Sequence, residues 1–182
     1  MVTSLDILKQ MALDQMAAKH PNIPHNYLVI PKYTDRTANG LTRCIIDFIR
    51  LDGYQAERIN TMGRTIDNRK RVTDVLGRTK LIGSTTYIPT TGTKGSADIS
   101  ATIRGRSVKI EVKVGKDRQS PEQKAYELSI ISSGGIYWIV RSFDEFYNKY
   151  LTLFPWYEAQ LLKTKVSQME TERAGGEMPA LW

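Results

Sequence analysis

The spacing of apolar side chains changes several times along the chain, and each change predicts a new element of secondary structure. Between residues 39 and 53, apolar side chains recur every three or four residues, which is typical of one buried helix face. Asn39 is the predicted N-cap of this helix, and Gly53 follows its last turn. Similar patterns predict a helix over 4–19, a strand over 54–60, a hairpin within 95–115, a helix from Pro121, a strand over 136–140, and helices over about 143–153 and 156–172. The order of these elements indicates an α/β fold.

Polar and apolar residues alternate within the predicted hairpin so regularly that its register can be predicted. If Arg104 and Gly105 form a two-residue turn, Asp98 lies directly opposite Glu111. Ser100, Thr102, Ser107 and Lys109 then share one face with these two acids, and Lys113 projects from that face as well. A slip of one residue would mix the two faces, so the pattern favours this register alone.

Opposed carboxylates on one sheet face need an explanation. Their Cβ atoms would lie roughly 4.5–5.5 Å apart, so the two charges repel and the pKa of one acid should rise. A divalent cation such as Mg²⁺ would remove the repulsion, and a nearby lysine can orient or activate a water or neutralise charge on a phosphate. The plain alternative is a solvated polar face without chemistry.

The distribution of charge points to a polyanionic partner. The chain has 182 residues, a formal net charge of +7 and a pI of about 9.5. Residues 58–80 hold seven Lys/Arg against two Asp, and residues 94–124 hold eight Lys/Arg against four acids. The basic excess therefore surrounds the hairpin and covers the excursion at 61–94, and nucleic acid is the expected partner.

Other features of the sequence predict a cytoplasmic protein. No apolar run is long enough to cross a bilayer, and residues 1–20 resemble an amphipathic helix more than a signal peptide. Cys44 is the single cysteine and cannot form an internal disulfide. These features favour the cytoplasm and no membrane partner.

Four short motifs together resemble the PD-(D/E)XK nuclease superfamily, most closely its VRR-NUC type and the small phage-type nucleases that are similar to Holliday-junction resolvases. The motifs are Gly-x-Ala-Asp (95–98), Glu-Val-Lys (111–113), Ser-Pro-x-Gln (120–123) and the run at 134–142. The resemblance implies a restriction-endonuclease-like core over 39–154, a mixed sheet flanked by helices. Residues 1–38 and 155–182 would be helical extensions.

The resemblance also implies the role of each site residue. Asp98 and Glu111 would bind Mg²⁺, or Mn²⁺ in its place, together with the Val112 carbonyl. Lys113 would assist the attacking water, and Gln123 would support the site. Gln123 has a second interpretation of equal weight, as the third residue of a capping box with Ser120.

The chain departs from the family pattern in two places. Ala97 stands where the family usually has proline, which is a mild change. Such nucleases often carry a glutamate near the start of the first helix, and this chain has Asn39 there. Asn39 is either a weak ligand of metal or water or a plain N-cap. Asp47 and Glu57 are other candidates for that role, and a second metal site is in doubt.

The expected function is a Mg²⁺-dependent DNA endonuclease, with branched or recombination DNA as substrate by resemblance only. The alternatives are a non-catalytic DNA-binding protein on a nuclease scaffold and a basic interaction protein with no role on nucleic acid. Candidate DNA contacts are Arg58, Asn60, Arg64, Lys94, Lys116 and Arg118. An aromatic cluster at 143–156 is expected to form core, with a homodimer interface as the alternative.

Overall fold

The computed structural model of the protein describes residues 2–60 and 63–155. It contains four helices, α1 (Ser4–Lys19), α2 (Ala38–Leu51), α3 (Pro121–Ser132) and α4 (Phe143–Leu153), and a short 3₁₀ turn at His25–Tyr27. Its eight strands are β1 (Gln55–Arg58), β2 (Arg64–Asp67), β3 (Lys70–Thr73), β4 (Thr79–Ile82), β5 (Thr85–Ile88), β6 (Ile99–Ile103), β7 (Arg106–Val112) and β8 (Ile136–Val140). The fold is therefore mixed α/β, as the sequence predicts. The helix predicted over 156–172 lies outside the described residues.

Four of the strands form the central sheet, in the order β1-β6-β7-β8. Strands β1, β6 and β7 are antiparallel neighbours, whereas β8 runs parallel to β7 after the crossover through α3. The predicted hairpin register is confirmed, because Ile99 pairs with Ile110 and Ile103 pairs with Arg106. The turn residue Arg104 has a positive φ of 47°, as a two-residue hairpin turn of this type requires.

The apolar face of the sheet forms one side of the hydrophobic core. Alternate residues of β6 and β7 are buried there against α2 and α4, and Leu8 of α1 is fully buried in the same core. The ring of Phe48 makes edge-on contacts with four aromatic rings of α4: Phe143, Phe146, Tyr147 and Tyr150. The prediction that this aromatic cluster packs as core is confirmed for these four residues. Trp156 lies outside the described residues, and a homodimer stays a prediction.

The starts of two helices differ from the prediction. Helix α2 begins two residues earlier than expected, because Thr37 and not Asn39 is its N-cap and accepts a hydrogen bond from the N–H of Gly40. At α4, Ser142 and Glu145 have the spacing that predicts a capping box. The Ser142 hydroxyl does cap the helix, but the carboxylate of Glu145 accepts from the N–H of Arg141 instead. The capping box of Ser120 and Gln123 at α3 is confirmed.

The excursion between β1 and β6 forms an arm, which we define as residues 64–88. It is a hairpin in two pieces, with β2 paired to β5 and β3 paired to β4. Every residue of β3, β4 and β5 is exposed. The arm leaves the core after β1, whose strand ends at Arg58 and not at residue 60 as predicted.

Candidate active site

The site forms where β6 begins and β7 ends, on the polar face of the central sheet. Asp98 directly precedes β6, Glu111 lies in β7 and Lys113 directly follows it. The β6–β7 ladder stops at Ile99, so the N–H of Val112 finds no backbone partner there. It donates instead to Oδ2 of Asp98, at 2.9 Å. This bond holds the Asp98 carboxylate against the end of β7.

The same bond orients the Val112 carbonyl. The N–H and C=O of one residue in an extended strand point to the same side. The Val112 N–H faces Asp98, so its carbonyl oxygen also lies on the Asp98 side of the strand. The predicted trio of Asp98, Glu111 and Val112 therefore shares one end of the hairpin.

Glu111 and Lys113 form a buried ion pair. Glu111 is 2% exposed and Lys113 is 5% exposed. Their Oε1 and Nζ atoms lie 3.0 Å apart, and the ammonium of Lys113 also pairs with Asp117 at 3.2 Å. Buried charges are costly unless they are paired and hydrogen-bonded, so this arrangement fixes both side chains in place.

Gln123 makes the capping-box contacts and also contacts both members of the buried ion pair. Its Oε1 accepts from the N–H of Ser120 at 2.9 Å, which is the capping-box contact, and from Nζ of Lys113 at 3.0 Å. Its Nε2 donates to Oε1 of Glu111. The start of α3 is therefore joined directly to the buried ion pair.

Sequence reasoning missed two contributors to the site. Asp117 follows Lys113 by four residues, beyond the Gly115 turn, and its role depends on how that turn folds. The second is Tyr137, which lies in the apolar strand predicted over 136–140. Its ring is half-buried on the polar face, and its hydroxyl lies 3.5 Å from Oε2 of Glu111. The strand at 136–140 is apolar on both faces, as parallel strands often are, so its sequence does not show on which face of the sheet Tyr137 lies.

The pKa values of the ionisable groups reflect this crowding. Burial raises the pKa of Glu111, and the nearby charge of Asp98 raises it further, against the opposing effect of Lys113. The predicted upward shift of one acid therefore falls on Glu111, with burial as its largest cause. Burial acts to lower the pKa of Lys113, but its bonds to Glu111 and Asp117 outweigh that effect and raise it. Lys113 is therefore a cation at neutral pH.

The donor set fits a single hard cation. Magnesium is usually held by one or two carboxylates with waters and substrate oxygens, so it does not need a cage of protein ligands. Asp98, Glu111 and the Val112 carbonyl supply that chemistry. A cation would also relieve the repulsion between the two acids, which adds to the effect of burial in raising the pKa of Glu111. Within residues 2–60 and 63–155, no group of three or more His, Cys, Asp or Glu is placed to hold a metal.

The three residues considered as substitutes for the helix glutamate lie on α2 and β1. Asn39 lies in the first turn of α2 and lines a small cavity with Arg58 and five other α2 residues, and neither Asp98 nor Glu111 lines that cavity. Asp47 pairs with Arg43 at 3.5 Å. Glu57 is exposed on β1 opposite Ser100.

The residues predicted to contact DNA are all exposed. They are Arg58, Asn60, Arg64, Lys94, Lys116 and Arg118. Lys94 also pairs with Glu122 at 2.8 Å, which links the end of the excursion to the first turn of α3. Lys116 and Arg118 lie in the turn that carries Asp117, so these two cations border the site.

Comparison with known proteins does not assign the chain to a family. No family model matches the sequence, and no curated protein matches it.

No helix within the described residues combines the length and apolar character needed to span a membrane.

Gly95 lies three residues before Asp98 and packs closely against the backbone of the first turn of α3. It has a positive φ of 80°, and a Cβ there would lie 2.5 Å from the backbone carbonyl of Glu122. We expect Gly95→Ala to cost about 2–4 kcal/mol, as backbone strain plus overpacking, in urea unfolding. Gly134 is the matched control, because its φ is 79° and a Cβ there would meet nothing within 4 Å. Gly134→Ala should cost only the strain, about 1–2 kcal/mol. Equal losses would show that the close approach at Gly95 contributes nothing.

Proposed function

We propose that the protein is a Mg²⁺-dependent DNA endonuclease with a restriction-endonuclease-like core. The observation that carries this proposal is the meeting of Asp98, Glu111 and Lys113 at one end of the hairpin, with two of the three buried. Folding does not require buried charges at that point, since replacing a buried ion pair by apolar residues is often neutral or stabilising. Strongly perturbed groups of this kind are typical of functional sites.

Asp98, Glu111 and the Val112 carbonyl would hold the cation. When bound, Mg²⁺ would polarise the scissile phosphate and lower the pKa of an attacking water. Lys113 stays protonated because its pKa is raised, so it does not act as the base that takes the proton from water. Its role is to place a positive charge and a hydrogen-bond donor beside the phosphate or the water. Glu111, Asp117 and Gln123 hold its ammonium in position.

The charge distribution supports DNA as the substrate. The arm carries six Lys/Arg against two Asp, and exposed cations such as Lys116 and Arg118 border the site. Contacts of this kind bind the phosphate backbone without regard to sequence, so binding should weaken steeply as salt is raised. Branched or recombination DNA is the preferred substrate in this proposal, and the cytoplasm is its place of action.

A second function is favoured by one observation. The network around Glu111 is satisfied by protein groups alone, and no buried side-chain polar atom of the described residues lacks a hydrogen-bond partner. With Asn39 in place of a helix glutamate, the same scaffold suits a DNA-binding protein that does not cleave.

Strand cleavage in the presence and absence of metal distinguishes the two functions. We expect nicking or cutting of supercoiled, linear or four-way-junction DNA in Mg²⁺ or Mn²⁺, and no cleavage in EDTA. A matched incubation in EDTA, followed by a gel-shift assay, measures binding on the same DNAs. Salt-sensitive binding without cleavage in either metal would contradict the endonuclease and support the binding protein. Cleavage that persists in EDTA would exclude the proposed metal site.

A further inference from the structure

The tip of the arm, residues 74–78, presents apolar side chains to solvent. Val75 is fully exposed, at 102%, and Leu76 is 73% exposed. Behind them, β3 and β4 carry two more exposed aliphatic side chains on one face, Val72 and Ile82, and a third, Leu81, on the other face. A cluster of exposed aliphatic residues on a projecting hairpin usually marks a contact surface.

The turn at the tip does not need apolar side chains at Val75 and Leu76 in order to fold. The carboxylate of Asp74 accepts hydrogen bonds from the N–H groups of Leu76 and Arg78, at 2.9 and 2.8 Å. Gly77 supplies the positive φ, at 75°, that closes the turn. Asp74 and Gly77 therefore specify the turn, and the two positions between them would accept the polar residues that turns prefer.

The charge on the arm indicates what covers the tip. The net charge of the arm is +4, from six Lys/Arg and two Asp. Both acids are already engaged, Asp74 in the turn and Asp67 in an ion pair with Arg69 at 2.7 Å. Two such arms would repel each other, which disfavours a second copy of this chain as the occupant. A polyanion with apolar interior surfaces fits both the cations and the aliphatic tip, and duplex DNA is such a molecule.

The shape of the arm suits a groove of DNA. From Arg64 to Asp74 is ten residues, in two strands with a break at residues 68 and 69, so this part of the arm spans at most roughly 33 Å. Ribbons of antiparallel strands bind DNA in the major or the minor groove. On one face of β3 and β4, Lys70 and Lys80 alternate with Val72 and Ile82, so cations and aliphatic side chains approach the duplex together.

We propose that Val75 and Leu76 form an apolar wedge that inserts between neighbouring bases and unstacks them. Apolar wedges with cationic flanks kink duplexes in this way, at the expense of base stacking. Unstacking costs least where the duplex is already mismatched or interrupted, so the wedge selects DNA that opens easily. This inference rests on the DNA-binding part of the proposed function and is independent of cleavage.

The test compares the wild type with Val75→Ser/Leu76→Ser on two duplexes, one perfect and one with a single mismatch, in EDTA. A 2-aminopurine beside the mismatch reports unstacking as a rise in fluorescence. We expect the wild type to prefer the mismatched duplex and to raise the fluorescence. The variant should lose about tenfold in affinity for that duplex, as expected from partial burial of two aliphatic side chains, and should not raise the fluorescence.

Two controls separate the wedge from general effects. Leu128→Ser/Ile131→Ser removes two exposed aliphatic side chains from α3 instead, and it should bind like the wild type. Lys70→Ala/Lys80→Ala should weaken binding to both duplexes equally and reduce the salt dependence.

Several outcomes would overturn the wedge. One is a wild type that does not raise the fluorescence, or a Val75→Ser/Leu76→Ser variant that keeps the mismatch preference. Another is a wild type that forms dimers in sedimentation velocity without DNA while this variant is monomeric, because the tip would then bind a second copy. Cleavage of the same duplexes in Mg²⁺ is scored separately, so failure of the wedge and failure of the nuclease are distinguishable.

Discussion

Glu111→Gln is expected to lower the rate of DNA cleavage by about 10³-fold or more. The substitution keeps the shape of the side chain, and its amide oxygen can still accept from Lys113 and Gln123. It removes the negative charge that would hold the cation. A bound metal contributes several kcal/mol to transition-state stabilisation, and each 1.36 kcal/mol corresponds to about tenfold in rate.

Single-turnover cleavage in saturating Mg²⁺ measures this loss, and Glu127→Gln is the matched control. Glu127 is a partly buried acid on α3, hydrogen-bonded to Gln119 at 2.8 Å, and it is not among the residues proposed to hold the cation. Glu127→Gln should leave the rate within about threefold of wild type, since it keeps the shape of the side chain and removes no proposed ligand. A thermal melt adds an independent measurement: Mg²⁺ should stabilise the wild type but not Glu111→Gln. If Glu111→Gln cleaved DNA at the wild-type rate, the proposal that Glu111 holds the cation would be refuted.

Local rules are sufficient to predict the parts of the fold that depend on neighbours in sequence. The hairpin register follows from alternation alone, because a slip would move Glu111 and Lys113 into the apolar core. The capping box at α3 follows from Ser120 and Gln123 and needs no long-range information.

The errors in prediction arise where packing between distant segments decides which of two local arrangements forms. Thr37 and Asn39 are both good N-caps, and the structure selects Thr37, with Gly40 packed so closely against Thr34 that a Cβ would lie 2.4 Å from the Thr34 carbonyl oxygen. The same limit applies to Tyr137, whose place beside Glu111 depends on the parallel register of β7 and β8. Neither choice is encoded in a local pattern.

The structure brings together the residues that the hairpin argument joins, and it leaves Asn39 outside. Glu111, Lys113 and Gln123 are joined by hydrogen bonds and an ion pair, and the Asp98 carboxylate accepts from the N–H of Val112, the residue between Glu111 and Lys113. Their roles on metal and DNA stay predictions. The sequence cannot indicate that Gln123 is both a helix cap and a partner of the ion pair, because that depends on how α3 docks against Gly95.

Lys113→Met is expected to destabilise the fold by about 3–5 kcal/mol at neutral pH, which is the usual cost of leaving one member of a buried pair uncompensated. Glu111 would remain buried with an unpaired charge and with Gln123 and Tyr137 as its hydrogen-bond donors. Chemical unfolding at pH 7 measures the loss. Lys109→Met is the matched control, since Lys109 lies on the same face of β7 and is half-buried with Ser100 as its partner. It should cost about 1 kcal/mol or less.

The dependence of this loss on pH identifies its cause. The pKa of Glu111 is already raised in the folded protein, and removal of Lys113 takes away a group that lowers it. A carboxyl group with a raised folded pKa supports stability below its unfolded pKa, and that contribution is lost as the pH rises through the folded pKa. The deficit of Lys113→Met should therefore be small in acid, where Glu111 is protonated, and should grow towards neutral pH.

The double variant Glu111→Gln/Lys113→Met decides between an unpaired charge and simple loss of packing. If the charge on Glu111 causes the instability, the double variant should be more stable than Lys113→Met at pH 7, by about 1–3 kcal/mol, and nearly independent of pH. If lost packing by the lysine chain causes it, the second substitution should restore nothing and the deficit should be the same at every pH. Recovery of stability without recovery of cleavage would mean that the buried pair is maintained for its chemistry, because the fold is then equally stable without it.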